Sequence, residues 1–311
     1  MKKLLLLLSL MIPTINADFT DIVLDKKWIH GSENCDLNTE PAIDQLKVNS
    51  NTFILRQNKC INVEAPFIYV LFGEHTVFIQ DTGATEDPDK FPIYKTIQQL
   101  VNNWKDENNI SKMDILVTHS HSHLDHRAGD AQFRNKADVT LIEANEDAII
   151  EFFNFNNWPD GETTFDLGNR KLTLFPIPGH HDESIAVYDT QTRWLLTGDT
   201  FYPGRLYIND WKQFKNSIQK LLVFTEKHQV IALMGTHIEM TSTARIDYAF
   251  GTEYQPAESP LPLMVADLLL LNNTLEQMGD DADDKILDNF IIAPVGVIQQ
   301  VLGTVLGWIF G

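Results

Sequence analysis

A short His-rich segment contains residue types that commonly bind metal ions. Four of the 10 His residues of the chain lie between positions 118 and 130. His121 and His123 are separated by one residue, so in an extended chain both side chains project to the same side and could hold one cation. Asp125 and His126 follow, and after a turn they could point toward a second position nearby. Imidazole and carboxylate groups together suit Zn²⁺ or another first-row metal ion.

Three further potential ligands occur later in the chain, each after a short apolar run. His180 lies in a Pro-Gly-His sequence, Asp199 in Thr-Gly-Asp and His237 in Gly-Thr-His. Open sheets commonly place their sites at the C-terminal ends of strands, where all of these residues are expected. A solvated His-rich loop would explain the first segment but not the three later positions. The pattern therefore predicts a metal centre assembled from several strand ends.

The elements that must position these residues are short apolar runs alternating with amphipathic stretches. Helical spacing of apolar residues predicts helices over residues 93–104, 210–226 and 260–278. Interleaved strands and helices indicate an α/β or α+β fold with layered sheets. Strands are predicted at Phe53–Leu55, Phe67–Phe72, Thr76–Ile79, Asp114–Val117, Val139–Ile142, Leu172–Phe175, Ile185–Tyr188, Trp194–Leu196 and Val230–Met234.

The composition is that of a globular protein that carries a strong negative charge. Of the 311 residues, 43% are hydrophobic and 22% are charged, and the formal net charge is −19. A protein this acidic repels phosphate backbones, so a nucleic-acid partner is not expected. A small-molecule substrate is the expected partner of the metal centre.

The order and spacing of the ligands resemble those of the metallo-β-lactamase-fold hydrolases, and the glyoxalase II-like members in particular. An Asp81-Thr82-Gly83 loop after a predicted hairpin is similar to the first motif of that superfamily. The resemblance covers roughly residues 50–240. It rests on the box His121, His123, Asp125 and His126, followed in order by His180, Asp199 and His237.

This resemblance implies an α/β fold of the αββα sandwich type, in which two mixed β-sheets are flanked by helices and the metal site lies at one edge. It also implies two Zn²⁺ ions per chain, with other first-row metals as alternatives. The first metal would be held by His121, His123 and His180, and the second by Asp125, His126 and His237, with Asp199 bridging both.

The implied activity is hydrolysis by a metal-bridged hydroxide of an ester, thioester, lactone, amide or phosphodiester. Asp125 would be a ligand and is also the candidate catalytic residue that orients the nucleophile or moves a proton to the leaving group. In having an Asp at position 199, the sequence resembles the glyoxalase II, lactonase and phosphodiesterase branches rather than the antibiotic-hydrolysing members. A mononuclear-iron, persulfide dioxygenase-like oxidoreductase is the alternative enzyme, and a non-catalytic metal-binding scaffold is the alternative outside enzymes.

Residues near the predicted ligands have two open interpretations. Tyr202 and Arg205, with Tyr207, follow the predicted bridging residue and could bind an anionic group of the substrate. Alternatively, the aromatic rings pack and Arg205 pairs with a structural carboxylate. His119 and His181 adjoin predicted ligands, and we expect them to support those ligands or to lie at the surface.

The N-terminal part of the chain indicates export. Residues 1–17 have the basic start, apolar run and small-residue cleavage site of a secretory signal peptide. The hydrolase domain is then expected over residues 18–288, in the periplasm if the source is Gram-negative, or secreted. Cys35 and Cys60 are the only cysteines, and in an oxidising compartment such a pair is expected to form a disulfide.

Residues 289–311 form an apolar C-terminal segment without a charged side chain. Its length approaches the roughly 20 residues that span a bilayer as a helix. Pro294, the Gln299-Gln300 pair and the lack of a following basic residue argue against a span. The sequence favours packing on its own domain or on a second subunit in a homodimer, with membrane association as the alternative.

Overall fold

The computed structural model describes residues 20–296, and a six-stranded sheet forms its N-terminal half. The first four strands are antiparallel neighbours, whereas β4–β5 and β5–β6 are parallel pairs. The strands lie in chain order: β1 (Ile43–Asn49), β2 (Thr52–Gln57), β3 (Phe67–Phe72), β4 (Thr76–Gln80), β5 (Asp114–Thr118) and β6 (Val139–Leu141).

A second six-stranded sheet and a small three-stranded sheet contain the remaining strands of residues 20–296. The order in the second sheet is β13-β12-β10-β9-β8-β7, with β10 and β12 parallel and the other neighbours antiparallel. The small sheet has the order β11-β15-β14. The strands are β7 (Thr163–Asp166), β8 (Lys171–Pro176), β9 (Ile185–Asp189), β10 (Trp194–Gly198), β11 (Arg205–Ile208), β12 (Ala232–Gly235), β13 (Pro262–Leu263), β14 (Lys285–Ile286) and β15 (Ile291–Pro294).

The two large sheets pack face to face, and the longest helices cover their outer faces. Alternation along β3 shows how the sequence directs this packing, because Phe67, Tyr69 and Leu71 pack between the sheets while Ile68 and Val70 pack toward α2. On the other side α5 and α6 pack on the second sheet. The helices are α1 (Thr20–Leu24), α2 (Ile93–Asn108), α3 (Leu124–Arg127), α4 (Glu146–Phe153), α5 (Trp211–Lys227) and α6 (Val265–Met278). The predicted αββα sandwich is therefore confirmed.

The C-terminal part of the predicted helix over residues 260–278 is confirmed, but its first turn is wrong. Pro262 and Leu263 form strand β13, which pairs with β12, and α6 begins only at Val265. Two prolines at positions 260 and 262 explain the difference, since proline lacks the N–H that a helix interior requires.

The two ends of the chain lie partly outside the described residues. The predicted signal peptide, residues 1–17, falls there entirely. Of the apolar segment, Ile291–Pro294 forms β15, which pairs in parallel with β11, whereas residues 297–311 are outside. Among residues 20–296, no helix combines the length and apolar character needed to cross a bilayer.

A disulfide joins Cys35, in the segment before β1, to Cys60, in the loop after β2. The two Cα atoms are 5.0 Å apart. It is the pairing predicted from the sequence, and it attaches the N-terminal segment to the first sheet.

Candidate metal centre

Three imidazoles form a first group of potential ligands. The Nε2 of His121 lies 2.9 Å from the Nδ1 of His123, and the Nε2 of His180 lies 3.2 Å from each of these atoms. Zn–N bonds of 2.0–2.1 Å in a tetrahedron place ligand nitrogens about 3.3–3.4 Å apart. Three converging nitrogens cannot satisfy one another as hydrogen-bond partners, so the arrangement fits a shared cation.

A second group lies beside the first and contains two imidazoles and two carboxylates. The Nε2 of His126 is 3.2 Å from Asp125 Oδ2 and 3.3 Å from the Nε2 of His237. The same His237 nitrogen is 3.3 Å from Asp125 Oδ2 and 3.5 Å from Asp199 Oδ1. These are again distances that a first-row metal ion would hold.

Asp199 lies between the two groups. Its Oδ2 is 3.4 Å from His126 Nε2 in the second group, and 3.8 Å and 3.7 Å from His121 Nε2 and His180 Nε2 in the first. One carboxylate therefore faces both sets of donors, as a bridging ligand would. All seven predicted ligands are brought together, and they divide into the two predicted sets with Asp199 in contact with both.

Strand ends bring these side chains to one edge of the sandwich. His121 follows β5, His180 follows β8, Asp199 follows β10 and His237 follows β12. A hydrogen bond from the Ile185 N–H to the Ser120 carbonyl ties the two sheets together beside the site.

A glycine permits the close approach of the two sheets at this edge. Gly198, directly before the bridging candidate, has φ +53°, and a Cβ at this position would lie 2.7 Å from the Cβ of Ser120. A side chain there would therefore separate the two halves of the site.

Backbone carbonyls fix the orientation of two of the ligand imidazoles. The Nδ1 of His180 donates to the Tyr207 carbonyl at 2.7 Å, and the Nδ1 of His237 donates to the Glu64 carbonyl at 2.9 Å. Because a carbonyl only accepts, the proton resides on Nδ1 and each Nε2 presents its lone pair to the site.

Asp81 performs the same function for a third imidazole. Its Oδ2 accepts from the Nδ1 of His126 at 3.1 Å, and its Oδ1 accepts from the Ser120 N–H at 2.7 Å. The sequence singled out the Asp81-Thr82-Gly83 loop as a motif, but it did not assign this role to the carboxylate.

Burial and mutual charge set the protonation of the ligands. Burial, and then the neighbouring His180, lowers the pKa of His123 to about 3, and burial lowers the pKa of His121 well below its usual range. Burial opposes the charged form of Asp199, but His237 and His126 outweigh it and hold its pKa well below the usual range. The first group is thus neutral, as metal binding requires. In the second group burial opposes the charged form of His237, but Asp199 and Asp125 outweigh it and raise its pKa to about 9, so this imidazole releases a proton when a metal ion binds.

His119 and His181 lie beside the ligands without joining either group. His119 is buried, and its Nε2 lies 2.8 Å from Asp130 Oδ1, which also accepts from the Thr82 hydroxyl at 2.8 Å. His181 contacts the Glu183 carboxylate and lines the space above the site. The side-chain partners of these two residues, Asp130 and Glu183, are not proposed ligands, so their supporting or surface roles stay predictions.

Arg205 lies in an ion-pair network outside the cavity. Its guanidinium pairs with Asp247 and lies 3.6 Å from the Glu239 carboxylate. This is the structural alternative left open by the sequence, and substrate contact by Arg205 stays an untested prediction. Tyr202 does line the cavity, with its hydroxyl donating to the Arg205 carbonyl and 3.2 Å from Glu239 Oε2.

An open cavity of about 760 Å³ lies above the ligands. Glu64 and Phe250 line it, and both were missed from the sequence, since neither belongs to a recognisable motif. Burial raises the pKa of the Glu64 carboxyl and raises the pKa of Tyr207 to about 12. The remaining lining residues are His123, Asp125, His180, His181, Asp182, Asp199, Tyr202, Asn209, Asp210, His237, Glu239 and Val295.

Comparisons with known proteins agree with this geometry. Residues 61–286 match the family model described as the metallo-beta-lactamase superfamily. The acyl-coenzyme A thioesterase MBLAC2 of Homo sapiens is 22% identical over 217 residues, which cover 58% of this chain and 75% of that protein. The hydroxyacylglutathione hydrolase of Pelagibacter ubique is 26% identical over 130 residues, 40% of this chain and 52% of that protein.

A solved structure shows the same fold. The DIM-1 metallo-beta-lactamase exposed to ceftazidime has a TM-score of 0.50 and 15% identity, and the match covers 78% of this chain and 100% of that one.

The MBLAC2 protein of Gallus gallus is 30% identical, but only over 94 residues, 28% of this chain and 33% of that protein. The aligned parts thus span between a third and three quarters of the length of these curated relatives.

Proposed function

The chain belongs to the metallo-beta-lactamase superfamily, its curated relatives are named as hydrolases, and we propose that it is an exported hydrolase with two zinc ions per chain. Its substrate is an ester or thioester, within the wider set of ester, thioester, lactone, amide and phosphodiester bonds open to this superfamily. The observation that carries the proposal is Asp199, whose carboxylate contacts both ligand groups at the floor of an open cavity.

Two bound zinc ions would lower the pKa of a shared water toward about 7 and so supply hydroxide at neutral pH. The chain itself supplies the orientation of that chemistry. Hydrogen bonds to backbone carbonyls orient the imidazole rings of His180 and His237, and a hydrogen bond to Asp81 orients that of His126. Because these ligand side chains are held in fixed orientations, the reacting groups are positioned before the reaction begins, and this positioning contributes to the rate.

Asp125 is the residue we assign to proton movement. Its Oδ2 lies within 3.3 Å of both His126 and His237, and the side chain is 21% exposed and lines the cavity. A carboxylate that touches both the ligand group and the open space can orient the nucleophile and pass a proton to the leaving group. Hydrolysis then places the hydroxyl on the acyl carbon and the proton on the departing oxygen or sulfur.

Two sequence features support export: the signal-like residues 1–17 and the cysteine pair, since disulfides persist in oxidising compartments. N-terminal sequencing of the protein recovered from its native compartment tests this. A chain that begins at Asp18 supports export, and a chain that retains Met1 in the cytoplasm contradicts it.

Metal analysis of protein purified without added metal tests the catalytic part of the proposal. About two zinc ions per chain, with turnover of simple esters or thioesters, is the expected result. One iron per chain with oxygen-dependent turnover of persulfides would support the dioxygenase alternative instead. That alternative leaves the second group, Asp125, His126 and His237, without an ion, and the completeness of this group is why we favour two metals.

A further inference from the structure

Two bound zinc ions would attract an anion to the floor of the cavity, but the wall around them has the charge opposite to what an anionic substrate requires. Four carboxylates line the cavity in addition to the proposed ligands: Glu64, Asp182, Asp210 and Glu239. Within residues 20–296, no Lys or Arg belongs to the lining. The only basic residues outside that range are Lys2 and Lys3, in the predicted signal peptide.

Two of these carboxylates already have partners in the protein. Asp210 caps the N-terminus of helix α5 and accepts from the backbone N–H of Gln213 at 2.8 Å. Glu239 accepts from the Arg205 N–H at 2.6 Å and faces the Arg205 guanidinium. Their charges are therefore partly offset.

Glu64 and Asp182 differ from Asp210 and Glu239 in the surroundings of their carboxylates. No hydrogen bond or ion pair to another part of the described chain engages either side-chain carboxylate. Glu64 is partly buried, directly beside the site, and its own backbone carbonyl holds His237. Asp182 is exposed, next to His181. A carboxylate without a partner, partly withdrawn from water, favours a cationic ligand.

Aromatic rings accompany these acids. Tyr202 and Tyr207 line the cavity wall, and Phe250 lies at its opening with 71% of its surface exposed. Carboxylates together with aromatic faces are the residue types that recognise alkylammonium groups, through charge and through attraction of the cation to the ring.

Resting on the proposed function, we propose that this cavity selects ester or thioester substrates that carry an alkylammonium group, and that it discriminates against polyanionic thioesters. Glu64 is the principal specificity-determining residue, and Asp182 adds to the attraction at the opening. The inference separates this chain from the relatives whose names specify coenzyme A and glutathione thioesters.

The test compares thioesters that share an acetyl group and differ in charge. The probes are acetylthiocholine, its uncharged tert-butyl isostere and the dianion S-acetylmercaptosuccinate, measured on protein that holds two metals. We expect kcat/KM for the cation to exceed that for the isostere by about tenfold, the lower end of the effect of a charged cleft. Added salt should lower kcat/KM for the cation and raise it for the anion, because screening weakens both attraction and repulsion.

Variants test whether the carboxylates of the cavity wall cause the preference for the cationic substrate. Glu64→Gln should remove most of the preference for the cation, so that the ratio of kcat/KM for acetylthiocholine to kcat/KM for the uncharged isostere falls toward one. Glu151→Gln is the matched control, since Glu151 is exposed on α4 and no residue of that helix lines the cavity. The inhibition constant of choline, measured with the uncharged substrate, should rise in Glu64→Gln and stay unchanged in the control.

Failure of the inference differs from failure of the proposed function. If S-acetylmercaptosuccinate is hydrolysed as fast as acetylthiocholine, or faster, the selectivity is absent although the protein is a hydrolase. If no probe is hydrolysed, the proposed function fails, and calorimetric titration with choline then decides the charge preference alone. Binding that is no tighter in the wild type than in Glu64→Gln overturns the inference.

Discussion

The Nδ1 of His126 lies 3.1 Å from the Oδ2 of Asp81, a carboxylate that is completely buried and comes from the loop after β4. The same carboxylate accepts from the Ser120 N–H, so one residue of the first sheet orients a proposed ligand and the loop that carries two others. The Asp-Thr-Gly sequence is thus part of the support of the metal centre.

We expect Asp81→Ala to weaken binding of the second metal by about 10–100-fold, the usual effect of removing a partner of a ligand imidazole. Metal titration followed by calorimetry measures this directly. Asp81→Asn keeps the shape but has one accepting oxygen for the two donors on His126 and Ser120, so its metal affinity should lie between those of the wild type and Asp81→Ala. Equal metal affinity in Asp81→Ala and the wild type would show that the contact has no part in positioning.

Asp199→Ala should remove the contact between the two ligand groups and most of the activity. We expect a loss of at least about 100-fold in kcat, with metal content falling below two ions per chain, since both groups lose a shared donor. Elemental analysis and circular dichroism are the measurements, with the exposed Asp283→Ala as the control. Unchanged turnover and metal content would rule out a bridging role.

The sequence predicted the site better than the edges of the fold. Four of the ligands follow strands that are buried along most of their length, such as β10 before Asp199, and such strands are easily recognised as continuous apolar runs. The edge strand β1 was missed because its sequence, Ile-Asp-Gln-Leu-Lys-Val-Asn, includes exposed polar residues, and β7 was missed for the same reason. Short strands such as β14 depend on their partner, which no local pattern reveals.

The environment of the cavity could not be predicted in the same way. Arg205 was interpreted from its position after Asp199, but its direction is set by Asp247 and Glu239, which come from a distant part of the chain. Glu64 enters the cavity from the loop before β3, far from the ligand motifs in sequence. Long-range packing decides such contacts, whereas ligand spacing is local.

Replacing both cysteines by serine, Cys35→Ser with Cys60→Ser, should lower the free energy of unfolding by about 3 kcal/mol. The chain-entropy model gives that value for a loop of this length. Denaturant unfolding with and without reductant measures it, and reductant should destabilise only the wild type. Catalytic turnover at low temperature should be retained, because neither cysteine lines the cavity.

The free energy of unfolding should decrease in acid, in part because the Asp189 carboxylate becomes protonated. Burial opposes the charged form of this residue, but Arg170, 2.7 Å away, outweighs it and holds the pKa below the ordinary value of 3.8. The folded pKa is lower than the unfolded one, so the stabilisation is complete above pH 3.8 and is lost as the pH falls through the folded value. Asp189→Asn should destabilise the protein by about 3–5 kcal/mol at neutral pH, since it leaves Arg170 buried without its partner.

Thermal unfolding between pH 2 and pH 7 checks this prediction. The difference in Tm between the wild type and Asp189→Asn should narrow as the pH falls, because acid removes the same charge from the wild type. A difference that stays constant across the range would contradict the sign derived from the pKa.

The C-terminal segment can be tested without disturbing the small sheet. Deleting residues 297–311 keeps β15, whose pairing with β11 places Arg205 and Tyr207 beside the cavity, whereas deletion from residue 289 removes that strand. We therefore expect the shorter truncation to retain metal and turnover and the longer one to lose both. The sequence favours packing of this segment on its own domain or on a second subunit, and if it packs on a second subunit the shorter truncation converts a dimer into a monomer in light scattering. Intact protein that pellets with membranes, beside a soluble and active truncated form, would instead establish the anchor.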